Sequence, residues 1–362
     1  MNMQNNIFLK RRENLKKSLE ENIVECIIIN PLNIYYLTGF YAEGIDRLIA
    51  LILSPDVDIL IIPELHKNEV DGINNISIIT WNDSEDPWQI LKSKINLNGY
   101  IYYIEKNFPY YFYKLLFNDG ATVKFIDNNL IKMRLVKDEN EVNLIKKAIE
   151  VSENSLKDSL SEVTLGITEK QLANTIDSLI KSRYYADLAF TTIVSFGKNA
   201  ANPHHIPDST QLKKNECIVI DFGSRYNMYC SDMTRTFFYG NPDENFIKIY
   251  NTVKNAQEDG CNRASSSITG MELDRYVRNI IEKSGYGKNF IHRTGHGIGL
   301  NEHEEPYIDS KNQNKFIPGN VITIEPGIYI PNKYGVRLED IVLIEDNGGI
   351  NLNKFTHEME IF

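Results

Sequence analysis

Four acids inside strongly apolar segments constrain this chain more than any other feature. Asp221 and Asp232 lie in CIVIDFGSRYNMYCSDMTRTFF. An apolar run leads into Asp221, the polar GSRYN suggests a turn, and a second strand carries Asp232. The two are symmetric about the Tyr226–Asn227 peptide, so a simple hairpin centred there sets them opposite one another. Facing like charges repel unless a cation sits between them, and an acid ending so apolar a strand needs a partner. The alternative is that each Asp caps a turn, a common use of Asp. Glu325 and Glu339 lie in VITIEPGIYIPNKYGVRLEDIVLI and are symmetric about Asn332, in the middle of the turn PNKYG. The same hairpin logic applies, and strand interiors disfavour Glu. Here the alternative is a salt bridge between Arg337 and a Glu, and a bulge in either hairpin would change the facing pairs.

Five of the seven histidines, His204, His205, His292, His296 and His303, fall between 204 and 303. Three belong to FIHRTGHGIGLNEHEEP, where glycines around His296 allow close backbone approach. A lone histidine is more often structural, but three in so short a stretch, beside four stranded acids, point to a site. Asp221, Asp232, Glu325, Glu339 and His296 make a hard, oxygen-rich donor set. It suits Mn, Co, Fe or Zn rather than a thiolate-type zinc site. Carboxylates bridge ions about 3.5–4 Å apart in two-metal hydrolases. Cys230 lies near Asp232 and offers a soft ligand, though a small half-buried residue is the simpler reading. The spacing in GHGIG differs from a dinucleotide fingerprint, and no HExxH, GxSxG or Walker A motif occurs.

The first third alternates helical and strand patterns. A helix is predicted over 7–22, strands at ECIIIN, LIALILS, VDILIIP, YIYYIEK and TVKFID, and helices over 86–96 and 108–117. This reads as an α/β domain over 1–130, with a second domain over 131–362. A long helix is predicted from Lys132 to about Leu160, with acids from DENE at its start. The rest shows an architectural duplication. Helix pairs at 138–160 and 168–184, then 243–262 and 270–284, each precede strands and a hairpin, and Thr168 is a predicted N-cap. A net charge of −10 gives no basic surface for nucleic acid. Leu48 to Leu53, the longest apolar run near the front, falls far short of a membrane span, and the first residues do not form a secretory signal. Cys26, Cys217, Cys230 and Cys261 show no paired spacing and read as reduced thiols of a cytoplasmic protein.

Together these motifs resemble the pita-bread metallopeptidases, in the Xaa-Pro aminopeptidase/dipeptidase (prolidase) branch. NPLNIYYLTGF resembles the start of a creatinase/prolidase-like N-terminal domain, and MRLVKDENEVNLIKKA the opening helix of a catalytic domain. NAANPHH, DFG, SDMTRTF, GHGIGLNEHEEP, ITIEPGIYIP and GVRLED follow in the order of the family. The implied fold is an N-terminal α/β domain followed by an α+β pita-bread catalytic domain with pseudo-two-fold repeat.

The resemblance implies two divalent ions, Mn first, with Co, Fe or Zn possible. Asp221 would chelate one ion, Asp232 and Glu339 bridge both, and His296 and Glu325 complete the second. His204 and His303 would line the substrate site and steady the tetrahedral intermediate. His292 and Arg337 match neighbouring substrate-site positions, and Thr234, just after Asp232, would be a supporting hydrogen-bond partner. Glu325 would serve as general base toward a metal-bridging hydroxide. The implied substrates are short proline-containing peptides, and the implied assembly is a homodimer. In some prolidases an Arg follows the HExP segment, whereas Tyr307 stands there in this chain. That leaves dipeptidase and aminopeptidase activity both open. Other readings are a broader-specificity aminopeptidase, a silent peptide-binding protein on the same fold and a metal-free, creatinase-like amidinohydrolase.

Overall fold

The computed structural model describes residues 3–19, 24–43, 47–95, 101–116 and 122–362. Two compact units divide the chain, Met1–Met133 and Arg134–Phe362.

The first unit runs α1 (Met3–Lys17), β1 (Val24–Ile28), α2 (Pro31–Thr38), β2 (Ala50–Leu53), β3 (Ile59–Pro63), β4 (Ser77–Trp81), α3 (Pro87–Lys94), β5 (Ile101–Ile104), α4 (Tyr110–Leu116) and β6 (Thr122–Phe125). The segment NPLNIYYLTG folds as α2 for local reasons. Asn30 caps the N–H groups of Leu32 and Asn33, Pro31 opens the helix, and Gly39 closes it at φ 80°. Among the described residues the strands form one sheet in the order β4-β3-β2-β1-β5-β6, with β1 antiparallel to β2 and parallel to β5. Ile27, Ile52, Ile61, Leu91 and Ile104 belong to its core.

The predicted strands are present, and β4 is a strand the sequence reading lacked. The predicted helix over 7–22 starts at Met3 and ends at Lys17, while 20–22 lie outside the described residues. Residues 96, 100 and 117, which close or open other predicted elements, also lie outside them.

The long helix predicted from Lys132 is two helices, α5 (Asp127–Leu135) and α6 (Glu139–Ser159). Asp138 makes the break. Its side chain accepts from Glu141 N (3.0 Å), and the Glu141 carboxylate accepts from Asp138 N (3.0 Å), a reciprocal cap that starts a new helix.

The second unit continues with α7 (Glu169–Ser178), capped by Thr168, then β7 (Asp187–Leu188), β8 (Ile193–Phe196), β9 (Glu216–Phe222), β10 (Ser224–Tyr226), β11 (Tyr229–Cys230) and β12 (Met233–Tyr239). There follow α8 (Glu244–Arg263), α9 (Gly270–Lys283), β13 (Gly295–Gly297), β14 (Glu304–Ile308), β15 (Val321–Ile324), β16 (Gly327–Ile330), β17 (Tyr334–Arg337), β18 (Asp340–Glu345) and β19 (Gly348–Asn351). Helix pair, strands and hairpin occur twice. The first set forms the sheet β12-β9-β8 and the second the sheet β14-β13-β15-β18-β19. Each has its own apolar core: Leu172, Ile176, Ile218 and Ile220 in the first, Val253, Leu273, Val277 and Ile324 in the second. Among the described residues no helix is long and apolar enough to cross a membrane.

Candidate metal centre and substrate cavity

In the first hairpin Asp221 faces Thr234, and Phe222 faces Met233. The chain turns on Asn227 and Met228, both at positive φ (45° and 74°), with Tyr226 facing Tyr229. The turn centre therefore lies one residue later than predicted, and the predicted Asp221–Asp232 facing pair is corrected. Asp232 stands two places along from the partner of Asp221. A shift of two keeps a side chain on the same face, and both acids line the same cavity. Close approach at Gly223 makes this register possible, since a Cβ there would meet Ser231 O at 2.0 Å.

The second hairpin turns about Asn332 (φ 59°), as its symmetry predicts. Gly327 faces Arg337, and beyond a short gap Ile324 faces Asp340. Glu325 and Glu339 stand level in that gap. The two hairpins are joined where Glu339 N donates to Thr234 O (3.2 Å) and Thr234 Oγ1 donates to Glu339 Oε2 (2.7 Å).

His296 enters from β13. A Cβ at Gly295 would meet Thr323 O at 2.0 Å, and one at Gly297 would meet Glu305 O at 2.2 Å. Glycines on both sides thus let β13 be squeezed between its neighbours with His296 2% exposed. Its Nδ1 lies 3.0 Å from Gly297 O and is the donor there, which leaves Nε2 as a lone-pair site. Nε2 is 3.3 Å from Glu325 Oε1 and 3.7 Å from Asp232 Oδ2. Ligand atoms of Asp232, His296 and Glu339 all lie within 4.8 Å of one another. Asp221 Oδ1, Asp232 Oδ1 and Glu339 Oε1 are buried without a hydrogen-bond partner. A buried, unpartnered carboxylate oxygen is costly. Two of these acids, Asp232 and Glu339, cluster with His296, and Asp221 lines the same cavity, a donor set that fits divalent cations.

The electrostatics agree. Burial raises Asp232 well above the usual carboxylate range, and Glu339, Asp221 and Glu325 add to the shift. Burial does the same to Glu339, with Glu325 and Asp221 contributing. Burial also raises Asp221, against the pull of Arg337. Glu325 goes the other way. Burial pushes it up, but His296, His292 and Arg337 outweigh that and hold it at about 2.

Arg337 does not bridge to a Glu. Its Nη2 pairs with Asp221 Oδ2 at 2.6 Å, Nε donates to Thr234 Oγ1 (3.0 Å) and Nη1 to Tyr329 OH (2.8 Å). At 3% exposure it stands behind Asp221 with all three nitrogens engaged. It also lines the cavity, beside the substrate positions with which the resemblance groups it. His292 Nε2 is 2.9 Å from the same Tyr329 hydroxyl, and burial lowers the His292 pKa.

A cavity of about 550 Å³ opens over these groups, a size suited to a short peptide. Asp221, Asp232, His296, Glu325 and Glu339 line it together with His204, His292, His303 and Arg337. His204 and His303 are the exposed members. His205, also noted in the sequence, turns to Glu169 (2.7 Å), which also accepts from Phe196 N, Asn199 and Asp208 N. Cys230 is buried, with its thiol toward Leu300 O at 3.6 Å, and takes no part. Phe190, Thr191, Ile193, Pro203, Arg293 and Glu302 complete the wall. Sequence reasoning missed all six. Arg293 and Glu302 at least stand beside histidines of the FIHRTGHGIGLNEHEEP segment.

Residues 143–346 match the model of metallopeptidase family M24, and 11–136 that of the creatinase/prolidase N-terminal domain. A peptidase of Staphylococcus saprophyticus described as uncharacterized is 36% identical over 335 residues, covering 91% of this chain and 94% of the relative. A crystal structure of recombinant prolidase from Thermococcus sibiricus superposes with a TM-score of 0.91 at 35% identity, covering 100% of both chains. An X-Pro aminopeptidase from Thermotoga maritima gives 0.88 at 30% identity, covering 97% of this chain and 99% of that one.

Proposed function

Because the chain belongs to metallopeptidase family M24, we propose that it hydrolyses the Xaa-Pro bond of short peptides with two divalent ions, Mn first. The observation that carries this reading is a peptide-sized cavity lined by Asp221, Asp232 and Glu339, each with an orphaned carboxylate oxygen, the last two clustered with His296. In it, Asp221, Asp232, His296, Glu325 and Glu339 would hold the two ions, with Asp232 and Glu339 shared between them. Bound there, the ions supply Lewis acidity, polarising the scissile carbonyl and acidifying water. Glu325, ionised at neutral pH, accepts the proton of the attacking water. His204 and His303 donate hydrogen bonds to the developing oxyanion. The bond to proline has no N–H, so the wall formed by Phe190, Ile193 and Pro203 reads ring shape instead. The reading extends to a cytoplasmic homodimer. Four free, buried cysteines suit a reducing compartment, and solution mass tests the dimer.

Loading the ions releases protons. Asp232 and Glu339 are raised in the metal-free protein, so protons compete with metal for them and affinity rises with pH. Calorimetry in buffers of different ionisation enthalpy counts them. Release of none would contradict the assigned ligands.

Arg293 favours dipeptides within this reading. Its guanidinium lies 4.5 Å from the Tyr307 ring centroid, lines the cavity and forms no ion pair among the described residues. It is the cation for a dipeptide carboxylate, in place of the Arg that Tyr307 replaces. The test compares a Xaa-Pro dipeptide, its Xaa-Pro amide and a Xaa-Ala dipeptide. The expected result is metal-dependent cleavage of the Xaa-Pro dipeptide above the other two. Arg293→Met should cost about 10–100-fold on the dipeptide, the worth of one charged hydrogen bond, and little on the amide. Equal cleavage of Xaa-Ala would overturn the proline specificity, and equal loss on dipeptide and amide the role of Arg293.

A further inference from the structure

His303 sits on a loop, residues 298–303, between β13 and β14. It is 48% exposed by side chain, and its ion-pair neighbour, Glu302, is 3.7 Å away. Its ring meets the His296 ring edge-on, centroids 4.2 Å apart, and the rest of its placement depends on the loop that carries it. The backbone helps in part, through Cys230 N to Gly299 O (2.8 Å) and Gly299 N to Asn301 O (3.1 Å). The strongest restraints come from side chains on either side of the histidine. Asn301 Oδ1 accepts from Arg134 Nη2 at 2.6 Å, and Glu304 Oε2 accepts from the same nitrogen at 2.5 Å. Glu304 Oε1 accepts from Lys137 Nζ at 2.7 Å.

These are buried charges. The Lys137 side chain is 1% exposed, that of Glu304 12% and that of Arg134 14%. Burial pushes the Glu304 carboxyl up, yet Lys137 and Arg134 outweigh it and hold the group below its ordinary range. The Lys137 end is itself anchored, since its backbone N donates to Gly319 O (2.9 Å). The local chain has been shaped to admit the pair. A Cβ at Gly299, the last glycine of GHGIG, would meet Glu304 Oε1 at 2.4 Å and Lys137 Cε at 3.1 Å. Well-packed apolar residues generally replace a buried ion pair without loss of stability, so a retained one is better explained by the geometry it imposes.

We propose that Lys137 and Arg134, acting through Glu304 and Asn301, are positioning residues that hold the His303 loop against the cavity. This rests on reading the cavity as the peptidase site. Neither cation touches substrate, and their effect is on where His303 and Glu302 stand. A misplacement of about 1 Å in such a group costs on the order of 10²-fold in rate.

The test uses the full chain loaded with Mn²⁺. Lys137→Met alone strands a buried carboxylate and risks the fold, so the decisive variant is the double, Lys137→Met with Glu304→Gln, beside Lys137→Arg. Metal content, kcat and KM on a Xaa-Pro dipeptide are measured. The His303 ring signal is followed by NMR of metal-free, histidine-labelled protein, because paramagnetic Mn²⁺ would broaden it, and is identified with His303→Ala. The double variant should keep wild-type metal content and KM, lose on the order of 10²-fold in kcat, and shift the His303 signal. Lys137→Arg, which keeps the charge, should restore most of the rate. A double variant with lower melting temperature but wild-type kcat and an unmoved His303 signal would make the pair merely structural and overturn the proposal. If the wild-type chain cleaves no Xaa-Pro peptide, the functional reading fails, and the His303 signal alone still decides the positioning role.

Discussion

Asp232→Asn and Glu339→Gln should each abolish peptide hydrolysis while making the metal-free chain more stable. Both carboxylates are buried among like charges, and both are raised well above the ordinary range for that reason. A neutral amide of the same shape removes the repulsion. The sign follows from proton binding. Between the unfolded pKa, about 4, and the raised folded one, the folded chain binds more protons than the unfolded. Stability contributed by these groups therefore falls as pH rises through that window. The gain from either variant should be absent near pH 4 and grow toward neutrality, reaching about 0.5–2 kcal/mol, the usual scale for relieving a strained site. Loss of activity should exceed the roughly 10–100-fold that removal of a mere supporting partner costs. Melts of chelated protein at several pH values, beside dipeptide assays of loaded protein, measure both. A variant that stays active, or whose metal-free form melts lower at neutral pH, contradicts the assignment.

Arg337→Met should be the most destabilising single change at the site. The guanidinium and Asp221 are 2.6 Å apart, with side-chain exposures of 4% and 14%. Removing the cation leaves a buried carboxylate without its partner, a loss of about 3–5 kcal/mol. Thr234 and Tyr329 lose a donor as well. Because bound metal offers Asp221 another cation, the loss should be smaller in the Mn²⁺-loaded protein than in the chelated one. Arg337→Lys should recover only part, since one ammonium cannot serve three partners. Thermal melts with and without metal give the comparison. Equal losses in both states would mean that Asp221 does not exchange partners with a metal.

How much of this was legible in the sequence depended on whether the signal was local. The hairpin about Asn332 was readable from symmetry alone, because its turn centre is a residue that tolerates positive φ. The first hairpin was misjudged by one residue. Met228 at φ 74° carries no turn signal, and an unbranched hydrophobic residue is rarely placed there. The break before α6 was overlooked because no Gly or Pro marks it, although the Asp138…Glu141 cap was present to be read. β4 is five residues long and begins two residues after Asn75 at φ 59°, with only Trp81 buried. The partner of Arg337 was out of reach in principle. Asp221 is 116 positions away, while Glu339 is two, and sequence proximity pointed to the wrong acid. The same holds for the cavity wall, where Phe190 and Pro203 meet Arg293 only through the fold. The acids that gather in the cavity with His296 were legible because acids in apolar strands conflict with local physics, and such conflict marks a candidate site.

The most direct test of the central claim is a metal titration. The purified chain is stripped with chelator, Mn²⁺ is added in steps, and bound metal and Xaa-Pro dipeptide hydrolysis are measured on the same samples. The account predicts no hydrolysis in the stripped protein and a rise that saturates at two bound ions per chain. Full hydrolysis by the stripped protein, or two bound ions with no cleavage of the dipeptide, would contradict it.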